Sequence, residues 1–319
     1  MAANKQIGIV GAGDMGSKMA EMLHKNSYLV VLYNRTESKL TKFKDRGGFE
    51  VSTSLEDFTK KLRIDAKPIT VLMMIAPDAE TADTVRQLSD ILLKGDILIE
   101  GSNSTANYSM ANAIALESKE INYLKMAYAG GPNDVLRAGT PSGAAIYISG
   151  NKRVFSQVEE VFKSLCGAIS SDERGTINYR YGYVGALGAA EAAKAIHNIS
   201  AYAKWVIDSE TAELVFATQK SQPQANIDSN EMLRLLSQSP PITSGFMESI
   251  LRAQNEGKLK EDADASPPKL SDQVVFGVKQ AQEMGVQLSG TRAVLDNYSK
   301  LSLRTNQIYK AAKKVLTGH

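Results

Sequence analysis

Residues 7–23, IGIVGAGDMGSKMAEML, decide the fold of this chain. An apolar run typical of a buried strand leads into Gly11, Gly13 and Gly16, and an amphipathic helical pattern follows at once. In the spacing G-x-G-x-x-G the first glycine permits a tight turn, the second lets the backbone approach a pyrophosphate, and the third lets helix and strand pack closely. Amides at the start of the helix then bind the anion. The stretch predicts a dinucleotide site formed by Gly11, Gly13, Asp14, Met15 and Gly16.

The end of the next predicted strand, VVLYNRTESK, bears on the choice of cofactor. Sites that prefer NAD usually carry an Asp or Glu about 20 residues after the glycines, where it binds the ribose 2′-hydroxyl. This chain has Asn34, Arg35 and Thr36 there, and a guanidinium flanked by neutral donors suits a 2′-phosphate. Thr36 is also a candidate helix N-cap, and the two roles are compatible. We therefore predict NADP as the cofactor rather than NAD.

Composition limits the class of protein. The chain has 319 residues, 43% of them apolar and 23% charged, with a net charge of +2, which is typical of a globular protein and gives no reason to expect nucleic acid or a membrane surface as partner. Neither a signal peptide nor an 18-residue apolar span is recognisable, so we expect a cytoplasmic enzyme or binding protein. The single cysteine, Cys166, fits a reducing compartment and is expected to be buried in packing rather than reactive.

The first half of the chain alternates β-rich runs with amphipathic helical patterns, which predicts a doubly wound α/β domain whose largely parallel sheet is covered on both faces. Strands are predicted at Gln6–Val10, Leu29–Tyr33, Ile69–Ile75, Ile97–Glu100, Tyr123–Ala127 and Ala144–Ile148, and helices at Gly16–Lys25, Glu37–Arg46, Ala79–Leu93 and Tyr108–Lys119.

From about Tyr181 the β-rich runs almost disappear. We predict two domains, an N-terminal Rossmann domain over residues 1–180 and an all-helical domain over residues 181–319. The helices predicted for the second domain are Gly185–Val215, Asn230–Ser237, Ile242–Glu256, Lys269–Gly285 and Thr291–Lys300, with a polar linker at residues 255–269 and a helical tail.

One lysine lies in a run of alanines, GAAEAAKAIHN, at residues 188–198. On a helix Lys194, His197 and Asn198 share one face, because they are spaced i, i+3 and i+4. Small neighbours let a backbone or a flat ligand come close, and a lysine held there would be partly desolvated and suited to acid/base work. The other interpretation, a solvated surface charge, stays open on these residues alone.

The helix GALGAAEAAKAIHN resembles the catalytic helix of the β-hydroxyacid dehydrogenases and 6-phosphogluconate dehydrogenases. The resemblance extends to NRT, to EGSNS at 100–104, to AGGP at 129–132 and to KLSDQVVFGVKQAQEMGV at 269–286. It implies that Lys194 is the general acid/base, that Asn198 binds substrate oxygens beside His197, and that Asn103 lies between nicotinamide and substrate. Gly130 and Gly131 would bind the substrate carboxylate, and the helical domain would form a homodimer.

Three departures from that family leave the reaction open. The expected loop serine is Ala129, and Ala201 stands seven residues after the lysine, where decarboxylating relatives carry a proton-donating glutamate. The segment AGTPSGAAIYISG at 138–150 is closer to imine reductases. We therefore predict an NADP-dependent oxidoreductase acting on a small hydroxyacid or sugar acid, with decarboxylation in doubt. Alternatives are an imine reductase-like enzyme and a non-catalytic NADP-binding regulator. Arg292 and Arg304 are further candidates for an acidic group of the substrate.

Overall fold

A computed structural model describes residues 5–63, 67–170, 176–239, 245–259, 270–298 and 301–317. The chain divides into two compact units, Met1–Lys194 and Ala195–His319. The domain boundary predicted at 180/181 stays a prediction, and most of the predicted linker at 255–269 lies outside the described residues.

The first unit is built on a sheet that, in the described part of the chain, has eight strands. Its strands are β1 (Lys5–Val10), β2 (Tyr28–Tyr33), β3 (Phe49–Ser52), β4 (Thr70–Met73), β5 (Ile97–Glu100), β6 (Asn122–Ala129), β7 (Ala145–Gly150) and β10 (Tyr181–Gly185), while β8 (Ala168–Ser170) and β9 (Ile177–Tyr179) form a separate antiparallel pair.

The strand order is β10-β7-β6-β5-β4-β1-β2-β3. Six strands, from β3 across to β6, are parallel, and β7 then runs antiparallel to β6 with Ala129 opposite Ala145. β1 lies between β2 and β4, so the order reverses at its carboxyl end, and ligands of open α/β sheets bind at such a point.

Helices cover both faces of the sheet. Successive strand residues point to opposite faces, so Ile7 and Ile9 of β1 belong to one buried cluster and Val10 to the other. The helices of this unit are α1 (Asp14–Lys25), α2 (Leu55–Leu62), α3 (Ala79–Ile91), α4 (Ala106–Glu117), α5 (Pro132–Val135), α6 (Lys152–Gln157) and α7 (Glu159–Lys163). The predicted doubly wound α/β fold is confirmed.

Two helix predictions need correction. Glu37–Arg46 is not an α-helix but two 3₁₀ turns, Glu37–Lys39 and Thr41–Phe43, because its buried residues, Leu40 and Phe43, have the i, i+3 spacing that a 3₁₀ turn aligns. The long helix begins at Ala189 rather than Gly185, since Gly185 and Gly188 adopt φ of +140° and +94°. The elements β3, α2, α5, α6, α7, β8, β9 and β10 were not predicted.

The second unit is helical in its described residues. Its helices are the remainder of α8 (Ala189–Ser221), then α9 (Ser229–Gln238), α10 (Gly245–Asn255), α11 (Asp272–Glu283), α12 (Ser289–Asp296) and α13 (Leu303–Thr317). An aromatic core that includes Phe246, Tyr298 and Tyr309 packs around Val206 and Val215 of α8. Among the helices described in either unit, none is long and apolar enough to cross a membrane.

Candidate functional site: a dinucleotide groove and a buried lysine

A groove of about 500 Å³ opens at the carboxyl ends of the parallel strands. The loops after β1, β2, β4 and β5 supply its walls. Every residue predicted to bind the cofactor lines it: Gly11, Gly13, Asp14, Met15, Gly16, Asn34, Arg35, Thr36 and Asn103.

The three glycines of the G-x-G-x-x-G spacing all line the groove but differ in what surrounds them. Gly11 has φ of +107°, and a Cβ there would lie 2.2 Å from the Met74 carbonyl oxygen. A Cβ on Gly16 would lie 1.9 Å from the carbonyl oxygen of Gly11, so both positions are fixed by the protein itself. A Cβ on Gly13 would meet nothing within 4 Å. The space at Gly13 is therefore open to a ligand, as the spacing predicts for the glycine beside a pyrophosphate.

Asn34 and Arg35 perform different tasks at the end of β2. The Asn34 side-chain oxygen accepts a hydrogen bond of 3.1 Å from the Ala12 amide, so Asn34 holds the glycine loop. Arg35 is 74% exposed at its side chain and forms an ion pair of 2.8 Å with Glu80 of α3. Thr36 precedes the first 3₁₀ turn, but its side chain makes no capping hydrogen bond.

Eight residues that line the groove were not predicted to bind the cofactor, and two of them, Lys39 and Glu80, are charged. Lys39 adds a second cation to the groove, and Glu80 forms the ion pair with Arg35. Lys39 had a local signal, because it follows Thr36 by three residues within VVLYNRTESK. Glu80 had none, since its approach to Arg35 depends on the pairing of strands far apart in sequence.

Lys194, the last residue of the first unit, is buried with an exposed fraction of 9%. Its Nζ donates a hydrogen bond to the carbonyl oxygen of Tyr128, near the carboxyl end of β6. Burial lowers the pKa of Lys194 to about 8, and the Asp134 carboxylate opposes that change. The interpretation as a solvated surface charge is thus excluded, and an amine of this pKa exchanges protons near neutral pH.

Gly130 and Gly131 follow β6 and are held by a residue that the sequence analysis missed. The Gly131 amide donates a hydrogen bond of 2.6 Å to Oδ2 of Asp134, whose other oxygen pairs with Arg137 at 3.3 Å. The signal was present: Pro132 opens a helical turn, and an acidic side chain three residues after the N-cap commonly bonds back to the N-cap amide.

A buried ion pair supports the edge of the sheet below Asn103. Lys125 donates to the Glu100 carboxylate and, at 2.8 Å, to the carbonyl oxygen of Ser102, and the Tyr123 hydroxyl also donates to Glu100. Burial acts to raise the pKa of Glu100, but the Lys125 ammonium and the hydroxyl donors outweigh it and leave the pKa below its ordinary value. This network fixes the backbone on which Asn103 stands exposed at the groove.

The remaining candidates are placed as follows. His197 and Asn198 lie in α8 in the turn after Lys194 and are partly buried. Arg292 pairs with Asp296 at 3.3 Å, and Arg304 donates to the Leu259 carbonyl oxygen at 3.0 Å. Cys166 is fully buried, as predicted, and burial raises the pKa of its thiol to about 11. Within the described ranges, no group of three or more His, Cys, Asp or Glu side chains is arranged to hold a metal ion.

The fold and the groove define a Rossmann-type NAD(P)-binding protein. The family model for the NAD-binding domain of 6-phosphogluconate dehydrogenase matches residues 6–175, and the chain belongs to that family. The decarboxylating 6-phosphogluconate dehydrogenase of Lactococcus lactis subsp. lactis is 28% identical over 216 residues, which are 67% of this chain and 43% of that protein. The chain thus spans less than half the length of the curated relatives it matches.

Solved structures share the fold over nearly the whole chain. The 6-phosphogluconate dehydrogenase of Plasmodium falciparum aligns with a TM-score of 0.73 and 18% identity, covering 96% of this chain and 62% of that one. The 3-hydroxyisobutyrate dehydrogenase of Salmonella typhimurium aligns with a TM-score of 0.67 and 15% identity, covering 96% and 99%. At these identities the likeness establishes the fold and leaves the substrate undetermined.

Proposed function

We propose that this chain is an NADP-dependent oxidoreductase that interconverts a hydroxyl and a carbonyl group of a small molecule, with Lys194 as its acid/base. The observation that carries the proposal is the buried Lys194 amine with a pKa of about 8, in the same unit as the dinucleotide groove. A buried, desolvated lysine is costly to a fold, and such groups cluster at functional sites.

The choice of NADP rests on the charges of the groove. Arg35 and Lys39 both line it, and no carboxylate occupies positions 34–36. Two cations suit a 2′-phosphate, and Arg35 can bind it through two parallel hydrogen bonds. The Plasmodium falciparum relative was solved with NADP⁺, which agrees with this assignment without deciding it.

The roles of the individual residues follow from their chemistry. Gly11, Gly13 and Gly16 would hold the pyrophosphate, and the bound nicotinamide would supply or accept the hydride. Lys194 Nζ takes the hydroxyl proton in oxidation and returns it in reduction, and its bond to the Tyr128 carbonyl orients the amine. Asn198, His197, Asn103, Gly130 and Gly131 are proposed to position the substrate, and the chain is proposed to act as a homodimer.

The substrate class predicted by resemblance is a small hydroxyacid or sugar acid. Decarboxylation would require a proton donor for the product, and Ala201 at the expected position has no proton to give. We therefore propose simple oxidation and reduction at one carbon, without loss of carbon dioxide.

A second candidate reaction is reduction of a C=N bond. The Asp134 carboxylate is the observation that favours it, because a buried negative charge within electrostatic reach of Lys194 would stabilise an iminium cation. An iminium cation has no lone pair that could accept a proton from Lys194, so this reaction would leave the buried amine without a role, and we rank this candidate second.

The test is a substrate panel with the purified full chain. Short hydroxyacids, sugar acids, their neutral amides and alcohols, and the matching aldehydes and cyclic imines are assayed with NADP⁺ or NADPH and then with NAD⁺ or NADH. We expect turnover of an alcohol–carbonyl pair with NADP. Turnover of cyclic imines alone would move the second candidate to first place, and cofactor binding without turnover of any compound would favour a regulator.

A further inference from the structure

Asp134 is a buried carboxylate at the loop where the substrate is expected. Its side chain is 12% exposed, and it is held by the Gly131 amide at 2.6 Å and by Arg137 at 3.3 Å. The loop is closely packed, since a Cβ on Gly130 would lie 2.7 Å from the Ala144 side chain and 3.0 Å from Oδ2 of Asp134.

The carboxylate and the proposed catalytic amine influence each other. Burial raises the pKa of Asp134, and the Gly131 amide, Arg137 and Lys194 act to lower it. Asp134 in turn raises the pKa of Lys194 against the effect of burial. The two groups therefore share a poorly solvated region in which charges interact strongly.

A substrate carboxylate bound at this loop would meet two obstacles. The Gly131 amide, which would have to donate to it, already donates to Asp134. The incoming anion would also face the negative charge of Asp134, which the partly exposed, end-on Arg137 guanidinium and the Lys194 ammonium only partly offset. Like charges brought together in such a region disfavour binding strongly.

We propose, on the basis of the function proposed above, that Asp134 determines substrate specificity by excluding a negative charge from the end of the substrate that faces the Gly130–Gly131 loop. The substrate class is then an alcohol or carbonyl compound, or an iminium ion, whose group at this loop is neutral or cationic. A hydroxyacid is accepted only if its acid group lies elsewhere.

The test compares two ligands that differ in little but charge, 3-hydroxypropanoate and 3-hydroxypropanamide. Their binding to the NADP⁺-loaded protein is measured by calorimetry, and kcat/KM is measured for each. We expect the amide to bind at least about tenfold more tightly than the acid. Asp134→Asn removes the charge but keeps an oxygen acceptor for the Gly131 amide, so the acid should gain about tenfold to hundredfold relative to the amide.

Asp83→Asn is the matched control, because Asp83 is an exposed carboxylate of α3 outside the loop, and its ratio of acid to amide should equal that of the wild type. Equal or tighter binding of the acid by the wild-type protein overturns the proposal, even if Asp134→Asn fails to fold. An unchanged ratio in a folded Asp134→Asn variant, or binding of neither ligand by either protein, overturns it as well. These outcomes are separate from the panel, since turnover of an acid by the wild type would leave the oxidoreductase assignment intact.

Discussion

Replacing Lys194 with methionine should stabilise the fold while it removes activity. Burial lowers the pKa of Lys194 from 10.5 to about 8. At about 1.4 kcal/mol for each pKa unit, the charged form is disfavoured in the fold by about 3 kcal/mol. Methionine has a similar length and no charge, so the substitution removes this penalty. Loss of the hydrogen bond to the Tyr128 carbonyl oxygen destabilises the variant by about 1 kcal/mol. We expect a net gain of about 2 kcal/mol in the free energy of unfolding at pH 7.

The sign of this effect depends on pH. Between pH 8 and 10.5 the unfolded chain holds a proton on Lys194 that the folded chain has released, so the wild-type stability rises with pH over that range. The penalty is fully present below pH 8 and disappears towards pH 10.5. The advantage of Lys194→Met, measured as the urea midpoint of the full chain, should therefore shrink as the pH rises above 8.

Turnover gives the second measurement on the same variant. Loss of an acid/base group typically lowers kcat by about 10² to 10⁴. Affinity for NADPH, followed by its fluorescence, should stay within about twofold, because Lys194 does not line the groove. Lys220→Met, at an exposed position near the end of α8, is the control and should change neither quantity. Retained turnover would refute the mechanism, and a pH-independent loss of stability would refute the buried ammonium.

Three further predictions use the same site. The rate of carbonyl reduction should be constant at low pH and fall above about pH 8, because reduction needs the charged form of Lys194. The rate of oxidation should rise to a plateau above about pH 8, because oxidation needs the neutral form. A rate profile without an inflection near pH 8 in either direction would contradict this prediction. Arg35→Asp should lower the ratio of kcat/KM for NADP to that for NAD by about tenfold to hundredfold, while Arg86→Asp, outside the groove, leaves the ratio unchanged. Gly13→Ala should weaken NADP binding with little change in Tm, whereas Gly16→Ala should lower Tm, because only a Cβ at Gly16 would meet the protein. An equal decrease in Tm for both variants would show that the open space at Gly13 is not a ligand site.

The elements that could be predicted are those whose own residues carry a signal. The glycine spacing and the apolar runs of β1, β2, β4 and β5 each identify an element from its own residues, and most bounds agree with the structure within two residues. The antiparallel direction of β7 was not predictable in this way, because a strand carries no mark of its direction and the connection at 130–144 is long enough for either a parallel or an antiparallel return.

The site residues divide in the same way into those with a local sequence signal and those whose role depends on residues far apart in the chain. The groove could be listed from sequence because its residues come directly after predicted strands, whereas the Arg35–Glu80 and Lys125–Glu100 pairs join residues 45 and 25 positions apart. The burial of Lys194 also depended on distant residues, since its partner carbonyl is that of Tyr128, 66 positions away. The alanine run showed only that such burial was possible.

Two of the departures from the family pattern, Ala129 and Ala201, point in one direction when they are considered together with the charge of Asp134. A buried ammonium needs a counter-charge, and an acidic substrate could supply one only while it is bound. In this chain Asp134 provides that charge permanently, so a substrate carboxylate at the same loop would be redundant as a counter-ion and repelled as a ligand. Ala129 and Ala201 likewise remove polar side chains that the resemblance predicts for an acidic substrate and its decarboxylation. A chain that combines the lysine proposed as acid/base and the cofactor groove with Ala129, Ala201 and the buried Asp134 is best explained by a substrate of different charge, because loss of function alone would not require a buried carboxylate whose charge acts on that amine.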